Sequence, residues 1–167
     1  VPAVIGATGF SLSQLNTFEE LANTHQTAVL LAPNFSIGAL LMIRFAQLAS
    51  KHFNWAEIIE LHHEQKKDAP SGTARITAEL MTQANPDFEV ATPDFAARGQ
   101  MIGSVPVHSV RLPGLLAHQE VILGGTGQTL TLRHDSIDRT SFMPGILLAL
   151  DHIDDCVGLV HGLDRFL

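Results

Sequence analysis

The chain is short of cysteine, of cations and of long apolar runs, and each shortage closes off a class of function. A single cysteine, Cys156, excludes an internal disulfide and fits a reducing cytoplasm. No matched His/Asn motif accompanies it, which sets nucleophilic thiol chemistry aside. Lys and Arg total 10 against 17 Asp and Glu, for a net charge of −7, whereas a nucleic-acid partner calls for clustered cations. No apolar stretch nears the roughly 20 residues that span a bilayer, so no membrane partner is expected. Apolar residues still make up 46% of the 167 positions, enough for one good core, or one and a part. A site for an anionic metabolite would have to be a local basic pocket inside an acidic protein.

What is there begins with two α/β alternations. Val4-Ile5 and the turn Gly6-Ala7-Thr8-Gly9 precede a helix over 11–23, with Leu12, Leu15, Phe18, Leu21 and Ala22 on one face. An apolar strand over 27–31 ends at Pro33, and Ser36 stands where it can cap a helix over 37–51. This pattern predicts an open, mostly parallel sheet. Val1 is not Met, and the opening reads like the middle of a domain, so the chain is expected to be an excerpt with strands missing before it.

Beyond Asn54 the spacing predicts a strand over 57–61, a helix over 71–84 and a Gly/Pro-rich connection over 86–102. Strands over 105–112, 119–123 and 129–134 follow, the last two joined by a hairpin turn at Gly124-Gly125-Thr126-Gly127. A helix over 138–153 carries Pro144-Gly145 inside it, marking a kink. Strands in close succession with flanking helices point to an antiparallel or mixed sheet.

The richest run is His62-His63-Glu64-Gln65-Lys66-Lys67-Asp68-Ala69-Pro70-Ser71-Gly72-Thr73-Ala74, between a strand and a helix. In a regular strand His62 and His63 would point to opposite faces. Both can serve one pocket only if the strand has ended by then, which the polar run after them favours. Histidine is the usual general acid near neutrality. Lys66 and Lys67 are either a solvated turn or a source of one inward ammonium for a carboxylate or developing negative charge. Asp68 either orients a neighbour or begins the turn. Ser71-Gly72-Thr73 opens a helix, where free N–H groups and the dipole suit a carboxylate or phosphate; an ordinary N-cap is the plainer reading. The Gly6 turn and Asn34-Phe35 fall at the carboxyl ends of successive strands, where open α/β sheets bind ligands. The remaining histidines lack metal-site spacing, no third ligand follows the His pair for metal-dependent hydrolysis, and no metal is expected.

Three segments in order resemble the dihydrodipicolinate reductases, the NAD(P)H enzymes of lysine and diaminopimelate biosynthesis. They are Val4 to Phe10, Ala32-Pro33-Asn34-Phe35-Ser36-Ile37-Gly38, and Glu60-Leu61-His62-His63 through Ala74. Arg98-Gly99, Ser109-Val110-Arg111 and His118-Gln119-Glu120-Val121 look like the family as well. The resemblance implies that His62 is the general acid and Lys66 the second catalytic group. It also implies that His63, Ser71, Gly72 and Thr73 form the substrate site, His63, Gly72 and Thr73 holding the carboxylates. Gly6, Ala7, Thr8, Ala32, Pro33, Asn34 and Phe35 would line the nicotinamide end of NADH or NADPH. The implied reaction reduces 4-hydroxy-tetrahydrodipicolinate to tetrahydrodipicolinate.

The implied fold is α/β: a C-terminal remnant of a Rossmann-like parallel sheet (1–33 and 143–167) with an α+β substrate and oligomerisation domain on a mixed sheet (34–142). The family forms homotetramers through that sheet. The N-terminal Gly-rich dinucleotide fingerprint is absent from these residues, and with it the residue that reads the ribose. A non-catalytic dicarboxylate-binding or assembly module derived from the reductase is the alternative.

Overall fold

A computed structural model of the chain describes residues 1–89 and 96–167, which form two compact units: residues 1–40 with 139–167, and residues 41–138. The sequence divisions fall after Pro33 and before Met143, whereas the compact units divide after Leu40 and before Arg139. The first turn of the helix that follows Ser36 goes with the first unit, because Leu40 packs among Leu30, Ala32 and Val160.

The first unit is built on a three-stranded parallel sheet of β1 (Ala3–Ile5), β2 (Ala28–Leu31) and β8 (Gly158–His161), in the order β1-β2-β8. Ile5 lies opposite Leu31 and Leu31 opposite His161, so all three strands finish in one row. Helix α1 (Leu12–Thr24) starts at a reciprocal cap: the Gln14 amide donates to Ser11 Oγ at 3.3 Å, and the Ser11 amide to Gln14 Oε1 at 2.9 Å. Of its predicted apolar face only Ala22 is buried, while Leu12 and Leu21 stay exposed. The physical reason is length: 13 helical residues run about 20 Å, and a strand of three or four residues covers only about 10–13 Å.

The C-terminal part of this unit departs from the expected 138–153 helix. A 3₁₀ turn at Arg139–Phe142 leads into α4 (Met143–His152), and a second turn at Ile153–Asp155 follows. Pro144 therefore sits in the first turn of α4, where its missing N–H costs nothing, and marks a start instead of a kink. Gly145 is there for close approach, since a Cβ on it would stand 1.9 Å from the Phe35 carbonyl oxygen. The four-residue β8 was not foreseen; its one short apolar run, Gly158-Leu159-Val160-His161, carries too little periodicity to read.

The second unit is a five-stranded sheet of β3 (Trp55–His62), β4 (Gln100–Ile102), β5 (Val105–Arg111), β6 (Ala117–Gly125) and β7 (Gln128–Ser136), in the order β4-β5-β3-β6-β7. Only the β3–β5 pair is parallel, so the sheet is mixed as expected. β4 lies in the segment expected to be plain connection, and residues 90–95 of that segment lie outside the described residues. Helix α2 (Ile37–Ser50) contributes Met42 and Ala46 to the core, and α3 (Gly72–Ala84) contributes Ala74, Ala78 and Met81.

The cross-strand register positions the site. One row on the helix-covered face is apolar: Val107, Ile58, Val121 and Leu132. The next row on the same face is polar: Ser109, Glu60, Gln119 and His134. The row after that is Arg111, His62, Ala117 and Ser136. The core thus gives way to chemistry within two residues of one strand.

Candidate active site

Glu60 is the centre of the arrangement. Its position in β3 has core parity with Ala56 and Ile58, and its side chain is fully buried. A carboxylate there must be fully hydrogen-bonded. Oε2 contacts His62 Nδ1 at 2.5 Å and accepts from Arg111 Nη1 at 2.8 Å. Oε1 accepts from Arg111 Nη2 at 2.8 Å and from the Ser71 backbone N–H at 3.2 Å. Burial by itself would raise the Glu60 pKa, but hydrogen bonds from His62, Arg111 and Ser109 outweigh it and lower the group to about 2. Glu60 is therefore an anion across the working pH range.

The guanidinium of Arg111 organises the loop as well. It donates to the carbonyls of Asp68 at 2.7 Å, Lys66 at 3.3 Å and Val110 at 2.7 Å. The Lys66 amide closes a turn on the His63 carbonyl at 3.1 Å, and the Leu112 amide reaches the His62 carbonyl at 3.1 Å. His62 is the last residue of β3 and His63 the first outside it, so the strict alternation that would have parted them ends between the two. The Lys66 ammonium pairs with Asp68 at 2.8 Å, and this hydrogen bond holds the Asp68 carboxyl below its usual range. Asp68 thus orients its neighbour.

Ser71 caps α3, its Oγ accepting from the Ala74 amide at 3.2 Å. Gly72 is exposed, and a Cβ there would meet no atom, so the space beside this backbone is open. Thr73 is fixed from below. Thr77 Oγ1 donates to the Thr73 carbonyl at 2.8 Å and accepts from Gln119 Nε2 at 2.9 Å. Gln119 Oε1 is buried without a partner among the described residues. His62, Lys66 and Ser71 are tied into the Glu60–Arg111 network of the second unit, and Thr73 into the neighbouring Thr77–Gln119 pair. Sequence reasoning passed over Glu60 and Arg111 as site residues. The available signal was a carboxylate two residues on from Ile58, at the parity of the strand that faces the core.

In the first unit the row Ile5–Leu31–His161 opens onto a cavity of about 390 Å³, lined by Ala7, Thr8, Pro33, His161 and Asp164 among others. Gly6 lies just behind, and a Cβ on it would come 2.9 Å from the Phe35 ring. Asn34 is engaged as a turn acceptor, its Oδ1 receiving the Ser36 amide at 2.9 Å. The Ala32 side chain is buried in the core, and its backbone amide donates to the Ile5 carbonyl at 2.9 Å. Of the seven residues expected around the nicotinamide, Ala7, Thr8 and Pro33 line this cavity; Gly6, Ala32, Asn34 and Phe35 are not among its lining residues.

The opposite face of the five-stranded sheet carries a second cavity of about 400 Å³ against Trp55, Ile59 and Ile122. At its edge Glu57 pairs with His108 at 2.7 Å and with Arg98. Among the described residues no three His, Cys, Asp or Glu side chains are grouped to hold a metal ion.

Residues 38–167 match the family described as dihydrodipicolinate reductase, C-terminus. The chain is 51% identical over its whole length to a 4-hydroxy-tetrahydrodipicolinate reductase of Geobacillus thermodenitrificans, covering 65% of that protein. It is 53% identical to the Mycolicibacterium vanbaalenii protein of the same name, covering 71% of it. A solved structure, dipicolinate-bound dihydrodipicolinate reductase from Paenisporosarcina sp. TG-14, superposes with a TM-score of 0.89 at 46% identity, over all of this chain and 65% of that one.

Proposed function

The chain belongs to the dihydrodipicolinate reductase family, and from that membership we propose that it carries out the NAD(P)H-dependent reduction of 4-hydroxy-tetrahydrodipicolinate in lysine and diaminopimelate biosynthesis. The observation that carries the reading is His62, held at the end of β3 by Glu60, beside the open N-terminus of α3. That arrangement offers a proton donor next to a seat for a carboxylate. The Paenisporosarcina relative is dipicolinate-bound, which favours a flat ring dicarboxylate as the ligand class.

In this reading His63, Gly72 and Thr73 hold the carboxylates, with Ser71 fixing the helix start that receives them. Lys66, released from Asp68 or shared with it, meets the negative charge that develops on the ring. His62 delivers the proton through Nε2, the nitrogen left free by Glu60. Residues 34–142 act as the substrate and oligomerisation domain, and 1–33 with 143–167 as part of a dinucleotide domain.

The cavity at Ala7, Thr8 and Pro33 fits the nicotinamide end of a dinucleotide, since it opens at the carboxyl ends of parallel strands. Bound NADH or NADPH supplies the hydride. Ala7, Thr8 and Pro33 would border it directly, while Gly6, Ala32, Asn34 and Phe35 shape the loops that present them. The exposed Trp55 and the half-buried Ile59 and Ile122 on the outer sheet face favour self-association, as a homotetramer by family likeness. The free thiol of Cys156 fits the cytoplasm, and among the described residues no helix is long and apolar enough to cross a membrane.

His62→Ala in the protein as isolated from its source tests the reading. Turnover of the cyclic dicarboxylate should fall by about 10²–10⁴-fold, with the substrate KM changing far less. Unchanged turnover removes the general-acid role.

A further inference from the structure

We propose that Glu60 is a positioning residue for proton transfer, holding the His62 ring by Nδ1 while the same carboxylate locks the α3 N-terminus and the 66–68 loop around it. The proposal deepens the reductase reading and rests on it.

The geometry is specific. An ionised carboxylate only accepts hydrogen bonds, so the 2.5 Å contact requires His62 Nδ1 to carry a hydrogen. Nε2 is then the nitrogen that trades a proton with a ligand. After Nε2 has given its proton away, the ring is left as the Nδ1–H tautomer, the form that Glu60 accepts from. Giving up the proton therefore needs neither a ring flip nor a tautomer change.

The other contacts tie this ring to the ligand seat. Oε1 receives the Ser71 N–H, one residue before Gly72, and Arg111 joins both carboxylate oxygens to the carbonyls of Lys66 and Asp68. A movement of the helix start or the loop is thus transmitted to His62 through one rigid group. A buried ion pair serving stability alone gains little over apolar residues of like volume. Here the Glu60–Arg111 pair replaces the apolar row seen one step lower in the sheet, and its bonds to His62, Ser71, Lys66 and Asp68 go to the strand end, helix start and loop that carry the site residues.

The test is ¹⁵N NMR of the His62 imidazole in the ligand-free protein, at a pH where the ring is neutral, joined to kinetics of Glu60→Gln. The native ring should be the Nδ1–H tautomer. In Glu60→Gln it should lose that preference, and kcat should fall about 10²-fold or more while the substrate KM moves only a few-fold. An Nε2–H tautomer in the native protein overturns the proposal, and this measurement stands even if the variant does not fold. A folded Glu60→Gln protein with native kcat overturns it as well. Failure of the reductase reading is seen separately, as unchanged turnover in His62→Ala, and leaves the tautomer result untouched.

Discussion

In residues 1–40 with 139–167, the groups proposed to meet a ligand are the ends of short parallel strands, brought level by the row Ile5–Leu31–His161. In residues 41–138 they are side chains and a helix start, of which His62 and the helix start are bonded directly to one buried carboxylate. The first unit makes its cavity out of backbone geometry and small residues such as Ala7 and Pro33. The second spends buried polar groups to hold its histidine, its loop and its helix in fixed relation. The difference matches the proposed tasks, since a cofactor with its own reactive chemistry needs a seat, while proton delivery needs a held side chain.

The largest effect that should separate the units is acid sensitivity. Glu60, Asp68 and Asp135 are all held below the usual carboxylate range, and all three lie in the second unit. For Glu60 the folded pKa is depressed from 4.5 to about 2, so its contribution is complete above 4.5 and is lost as pH falls toward 2. Its share is roughly 3 kcal/mol. Trp55, the sole tryptophan, reports this unit, and its fluorescence transition in denaturant should move to lower midpoints between about pH 5 and pH 2. A midpoint constant over that range would break the comparison.

Gly145→Ala strikes the first unit instead. The new methyl must displace the Phe35 carbonyl, at a cost of about 1–3 kcal/mol. Amide exchange in β2 should accelerate, with that of β3 unchanged. Loss of protection in both strands would mean the units do not respond independently.

The smallest difference concerns the helix starts. Ser71→Ala leaves a buried Ala74 amide unpaired and should cost about 1–2 kcal/mol. Ser11→Ala exposes the Gln14 amide to water and should cost about 0.5–1 kcal/mol. Equal losses of thermal stability in the two variants would show that burial adds nothing to the α3 cap.

Much of this was legible in the residues. The run from His62 to Thr73 reads as strand end, polar loop and capped helix because all three lie in one contiguous stretch, and the structure keeps that order. The strands over 105–112, 119–123 and 129–134 were visible from their close succession and from the Gly-rich turn between the last two. The 3₁₀ turn before α4 was hidden because Pro144 suits a helix start as readily as a kink. Leu12 and Leu21 overstated the packing of α1, since periodicity reports a face and not what covers it.

The sequence by itself determined the local grammar: where α1, α2 and α3 start and stop, and that a histidine pair meets a helix N-terminus. Those features depend on neighbours along the chain. Only the tertiary structure decided that Arg111 closes on Glu60, 51 residues away, that β3 stands between β5 and β6, and that three distant strand ends share a row. Such pairings are set by register and by the need to satisfy a buried charge, and both are settled only when separate strands meet.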